Sequence, residues 1–197
     1  MARSNLLHAW LLSCLFAASP ALFASADEVV EARQVNEFHA KLGYMAGLAE
    51  HTERESFISA AVAELFDLQR IAKVSVGRHW STLEPAQQTR FTEHLLALIS
   101  ATYAQRFAAA VPVFEVVDQQ QARGGVLVSG QLTAADGRIV RLDYFFRDGK
   151  VFNIAADGVS DLSLRRADYS QVMQDSGFAA LLAHLSAKTN EARQTAD

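Results

Sequence analysis

Few side chains in this chain could do chemistry, and they are scattered. Arg165-Arg166 falls where an early helical turn is predicted, so two guanidiniums and the backbone donors of a helix start could meet a phosphate, with Arg70 as a further candidate. Two arginines early on a helix also make an ordinary solvated face. Asp143, His79 and Tyr103 are the residue types of an isomerase-like pocket, in which an acid and a tyrosine work in apolar surroundings. Strand alternation weakens that reading, because it places Asp143 on the face opposite Leu142 and Tyr144. Asp67 and Asp157 read either as buried, paired acids or as caps of helices and turns. No HExxH or GxSxG pattern occurs, and the six histidines have no metal-ligand spacing. The expectation is a protein without catalytic group, metal or cofactor.

The elements that would carry these residues begin after a leader. Arg3 precedes an apolar run from Leu6 to Ala18, followed by Pro20 and the small residues Ala24-Ser25-Ala26. This is the pattern of a secretory signal peptide over residues 1–26, and the run is shorter than the ~20 apolar residues a spanning helix needs. Cys14, the sole cysteine, lies inside that run, so a chain cut after Ala26 has no thiol for a disulfide, nucleophile or metal. A cut at Cys14 of the lipoprotein kind would leave a very short signal. The expected compartment is a bacterial periplasm.

Cleavage removes Arg3 and no acid, so 18 basic side chains become 17 against 22 acids. That balance argues against nucleic acid as a partner and gives little pull toward an anionic leaflet. Residues 27–197 suit a single domain, with a flexible tail expected from about residue 189.

The first half reads as helices. Val30, Val35, Phe38 and Leu42 recur at helical spacing between Asp27 and Leu48; Phe57, Ile58, Ala61, Val62, Leu65 and Phe66 form a wide apolar stripe. Leu68, Ile71, Ser75 and Val76 predict a short helix closing near Gly77. Ser81 or Thr82 is then a candidate cap, and Pro85 a first-turn residue, for a long helix marked by Phe91, Leu95, Leu98, Thr102 and Phe107, with Ile99 and Tyr103 beside them.

The period then changes. Val113–Val117, Gly125–Thr133, Arg138–Arg147 and Lys150–Ala156 read as strands, the third with Val140, Leu142, Tyr144 and Phe146 on one face. Asp148-Gly149 is a two-residue hairpin signal. After Asp157-Gly158, Ser160 or Ser163 can cap a helix bearing Tyr169, Val172 and Met173, and a break at Ser176-Gly177 leads to Phe178, Leu181, Leu182 and Leu185. The fold class is α+β, with amphipathic helices on one face of an antiparallel sheet of about four strands.

"VRLDYFFRDGKVFNIAADGVS" followed by "RRADYSQVMQDSGFAALLAHL", with "FDLQRIAKVSVGRHWSTLEPAQQTRFTEHLLALISATYAQRF" upstream, resembles the MlaC, or toluene-tolerance, family of periplasmic lipid-binding proteins, over roughly Leu65 to Leu185. A hopanoid-associated branch shares the layout. The resemblance implies an apolar cavity between sheet and helices that takes acyl chains. It implies phospholipid, or a hopanoid-like lipid, carried between an inner-membrane ABC transporter complex and an outer-membrane lipoprotein/porin complex. The expected lining is Phe66, Ile71, Val76, Trp80, Phe91, Leu95, Ile99, Tyr103, Val140, Leu142, Tyr144, Phe146 and Val151, with Arg165 and Arg166 as headgroup or partner contacts. Without the resemblance the same strand face is ordinary filled core, and the rival readings are a pocket enzyme and a structural adaptor of an envelope complex.

Overall fold

The computed structural model describes residues 30–108, 111–122 and 124–194, so the leader assigned to residues 1–26 lies outside the described residues. Four helices come first: α1 (Val30–Ala46), α2 (His51–Leu65), α3 (Leu68–Val76) and, after a 3-10 turn over Gly77–Thr82, α4 (Pro85–Arg106). A meander follows, of β1 (Val113–Ala122), β2 (Gly125–Thr133), β3 (Ile139–Arg147), β4 (Lys150–Ala156) and the two-residue β5 (Val159–Ser160), and α5 (Asp161–Gln194) closes the chain.

The strands pair antiparallel in sequence order, giving five strands where about four were expected. The fifth exists because Asp157-Gly158 makes a second turn with both residues at positive φ, 49° and 81°, as Asp148-Gly149 does at 52° and 73°. In this second turn Asp157 also accepts the Arg141 N–H at 2.9 Å, which ties the end of β4 to β3. Unpaired extra residues at Val117 in β1 and Phe152 in β4 bulge the sheet and bend it over the helices.

Local chemistry explains the helix ends. Asp67 caps α3, its Oδ1 accepting the Arg70 N–H at 2.9 Å while Oδ2 pairs with Arg70 Nε at 2.8 Å. The start of α4 departs from the sequence reading. Glu84, whose N–H donates to Gln87 Oε1 at 2.9 Å, occupies the cap position, because Ser81 and Thr82 spend their hydroxyls on Arg78 and His79 carbonyls inside the 3-10 turn. Ser160 caps α5, its Oγ accepting the Ser163 N–H at 3.1 Å. The break in α5 falls at Gly177, whose φ of 78° and ψ of −174° turn the second half back along the helical layer.

Beyond residue 189, where a tail was expected, α5 remains helical to Gln194. Thr189 and Ala192 are buried there, and Arg193 forms a bidentate pair with Glu55 at 2.6 and 2.9 Å. Conversely, Val30 begins α1 but stays exposed, since α1 meets the sheet only from its second residue onward.

Candidate functional site

Cross-strand register decides which side chains meet the helices. Tyr144 faces Val128 and Ile154, Phe146 faces Val126 and Val151, and Leu142 faces Gly130 and Ala156, so these share one sheet face with Phe114 and Val116 of β1. Over it lie α1, α3 and the start of α5, with α2 and α4 behind. Phe66, Ile71, Val76, Trp80, Phe91, Leu95, Ile99, Tyr144, Phe146 and Val151 are buried in one continuous apolar cluster, and Tyr103 and Leu142 pack against it half-buried. Val140, near the start of β3, is half-buried beyond that cluster. Phe66 and Val151 meet in a parallel bridge between the end of α2 and β4, where the Asp67 N–H donates to the Val151 carbonyl at 2.8 Å.

An aromatic wall runs through this interface. Phe38 contacts Phe66 and Tyr103 edge-on at centroid distances of 5.6 and 5.4 Å, and Tyr103 stacks on Phe107 at 6.0 Å. Val140 apart, the expected cavity lining is thus a set of side chains packed into or against one apolar cluster.

The polar centre of the wall escaped the sequence reading. His39 of α1 is buried, with its Nε2 2.7 Å from the Tyr144 hydroxyl and its ring stacked on Phe114 at 3.6 Å, nearly parallel. Phe114 can lie there because β2 has Gly130 beneath it; a Cβ at that position would overlap the ring. Burial pushes the His39 pKa down to about 4, so the imidazole is neutral near pH 7, and it pushes the Tyr144 phenol up. His39 Nδ1 is buried without a partner among the described residues. The available signal was position: His39 follows Phe38 and stands four residues after Val35, on the apolar stripe of α1. A second polar tie lies at the helix start, where Gln119 of β1 accepts the Ala32 N–H at 3.0 Å and donates to Glu31 at 3.1 Å.

The arginine pair is divided. Arg165 lines a cavity of about 580 Å³ between α4 and the two halves of α5, where its Nε donates to Asp161 at 2.6 Å and Nη1 to the Tyr169 hydroxyl at 3.1 Å. Burial disfavours its charge, yet Asp161 and then Tyr169 outweigh that and hold its pKa above the ordinary arginine value. Asp168, on the same cavity, pairs with His184 at 2.9 Å and Lys188 at 3.6 Å. Arg165 is therefore a tied structural group. Arg166, one residue on, is exposed and lines a different groove.

Asp143, His79 and Tyr103 do not converge. Asp143 bonds Ser129 at 2.6 Å and Arg141 at 3.0 Å on the outer sheet face, Tyr103 stands in the aromatic wall, and His79 lines the groove of Arg166. Among the described residues no group of three or more His, Cys, Asp or Glu side chains could hold a metal, and no helix is long and apolar enough to cross a membrane.

This architecture has solved relatives. A phospholipid-binding protein from Ralstonia solanacearum, determined in complex with a phospholipid, superposes with a TM-score of 0.72 over 84% of this chain and 97% of its own, at 19% identity. No curated protein matches. A family model described as MlaC protein matches residues 39–187, from the buried histidine of α1 to the second half of α5.

Proposed function

We propose, from the premise that this chain belongs to the MlaC family, that it is a phospholipid carrier of the periplasm. On this reading it is exported by a leader cut after Ala26, and it passes lipid between an inner-membrane ABC transporter complex and an outer-membrane lipoprotein/porin complex. The carrying observation is the single apolar cluster that joins the inner sheet face to α1, α3, α4 and α5, with the His39–Tyr144 pair as a polar contact between α1 and the sheet. The phospholipid held by the Ralstonia solanacearum relative of the same fold supports the choice of cargo.

Energetics set how such a carrier works. About thirty methylenes at roughly 0.8 kcal/mol each would give about 24 kcal/mol against water, beyond the ceiling for non-covalent binding. Against a bilayer, where acyl chains are already dry, most of that gain cancels. Exchange with a membrane complex is then nearly balanced, while escape into water is slow. The interface suits this role, since separating α1 from β1 and β3 exchanges the ring contacts of His39 with Phe114 and Tyr144 for acyl contacts. No cofactor or catalytic step is required.

Organic extraction of protein purified from a lipid-replete periplasm, followed by mass spectrometry, tests the reading. A stoichiometric diacyl phospholipid is expected; a hopanoid-like mass would move the cargo to the other branch. Lipid-free protein that also takes nothing from phospholipid vesicles would overturn it.

A further inference from the structure

The first half of α5 sorts its charges by face. Asp161 and Asp168 turn with Arg165 toward the cavity against α4. Ser163, Arg166, Ala167, Ser170 and Gln174, spaced i, i+3, i+4, i+7 and i+11, share another face, which looks onto the 3-10 turn of Gly77, Arg78 and His79. Between them runs a groove of about 510 Å³ that no carboxylate lines.

Its floor is specific. Gly77 holds a φ of 57°, a conformation side chains resist, and the Arg166 guanidinium lies against it, with Nη2, Cζ and Nε at 3.6, 3.8 and 3.8 Å from where a Cβ would stand. Arg78 reaches across the groove, its Nη2 3.5 Å from Gln174 Oε1. Neither arginine forms an ion pair among the described residues, although acids outnumber bases in the chain, 22 to 18.

We propose that this groove binds a phosphoryl group, held by Arg78 and Arg166 with the Ser163 hydroxyl as a further donor. Two guanidiniums present more N–H donors than the two oxygens of a carboxylate use well, whereas a phosphate offers three or more oxygens to separate forks. Sequence-adjacent Arg165 takes no part, being spent on Asp161 and Tyr169. The phosphoryl group is either that of a bound lipid's headgroup or a free phosphate. The site does not depend on acyl chains being carried, so its test and the extraction test fail separately.

The experiment is isothermal titration of inorganic phosphate, at low ionic strength, into as-purified and delipidated protein. The variants are Arg78→Gln with Arg166→Gln, and Arg138→Gln as an exposed control on the β2–β3 turn. Wild-type delipidated protein is expected to bind one phosphate, the double variant at least tenfold more weakly, and the control as the wild type. Phosphate excluded from lipid-loaded protein identifies the headgroup as the occupant; equal binding to both forms identifies free phosphate. Absence of binding by delipidated wild type, or equal binding by the double variant with its circular dichroism intact, would overturn the assignment.

Discussion

Replacing His39 and Tyr144 together by phenylalanine removes both partners of the buried 2.7 Å contact and keeps an aromatic ring to stack on Phe114. Because neither polar group is left orphaned, stability at pH 7.5 should change by only about 1 kcal/mol. The pH dependence should change more. An unfolded-chain histidine protonates near its ordinary value of 6.5, whereas folded His39 resists to about 4. Between these values the unfolded state binds more protons, so stability falls as pH falls. The depressed value thus stabilises the protein fully above pH 6.5 and progressively less toward pH 4. The 2.5-unit difference corresponds to about 3.4 kcal/mol at its limit. At pH 5 about 2 kcal/mol is already lost, a urea midpoint shift of about 1 M for a slope near 2 kcal/mol per M. The other histidines and all carboxylates remain in both proteins, so the comparison is the change from pH 7.5 to 5 in the wild type minus that in the variant. Equal losses in the two would refute the claim that His39 is buried neutral against the sheet.

Leu142→Arg should yield a folded protein that has lost extractable lipid, because Leu142 is half-buried beside the cluster and a long side chain can reach outward, whereas Tyr144→Arg should fail to fold, since it strands a charge costing several kcal/mol where exposure is 2%. Circular dichroism and extraction on both preparations separate the cases, and two unfolded proteins would return Leu142 to rigid core. Gly177→Ala forces a methyl-bearing residue to a φ of 78° and should lower stability by about 1–3 kcal/mol in urea denaturation; an unchanged midpoint would mean that α5 does not require the turn.

Much of the fold was legible in short stretches. Asp148-Gly149 adopts the twin positive φ values that a two-residue hairpin needs, Ser160 caps α5, and α5 breaks at Gly177. The errors are also local in origin. Ser81 and Thr82 are good caps in isolation, but their hydroxyls found nearer carbonyls in the 3-10 turn. The polar end of α5 looked like a tail because its docking partner, Glu55, lies 138 residues away.

Element type follows from the period of the sequence because helix and strand backbones repeat every 3.6 and 2 residues, and a buried face must follow that repeat. For this reason the helix-then-meander order and the apolar face of β3 could be read without a structure. What each face meets is a long-range matter. The repeat that marks α1 as amphipathic does not say that His39 will find Tyr144 across 105 residues. Adjacency does not say that Arg165 and Arg166, about 100° apart around one helix, will enter separate grooves. Only the folded chain brings Arg78 to Arg166 and leaves acids off that groove, because electrostatic neighbourhoods are set by distance in space.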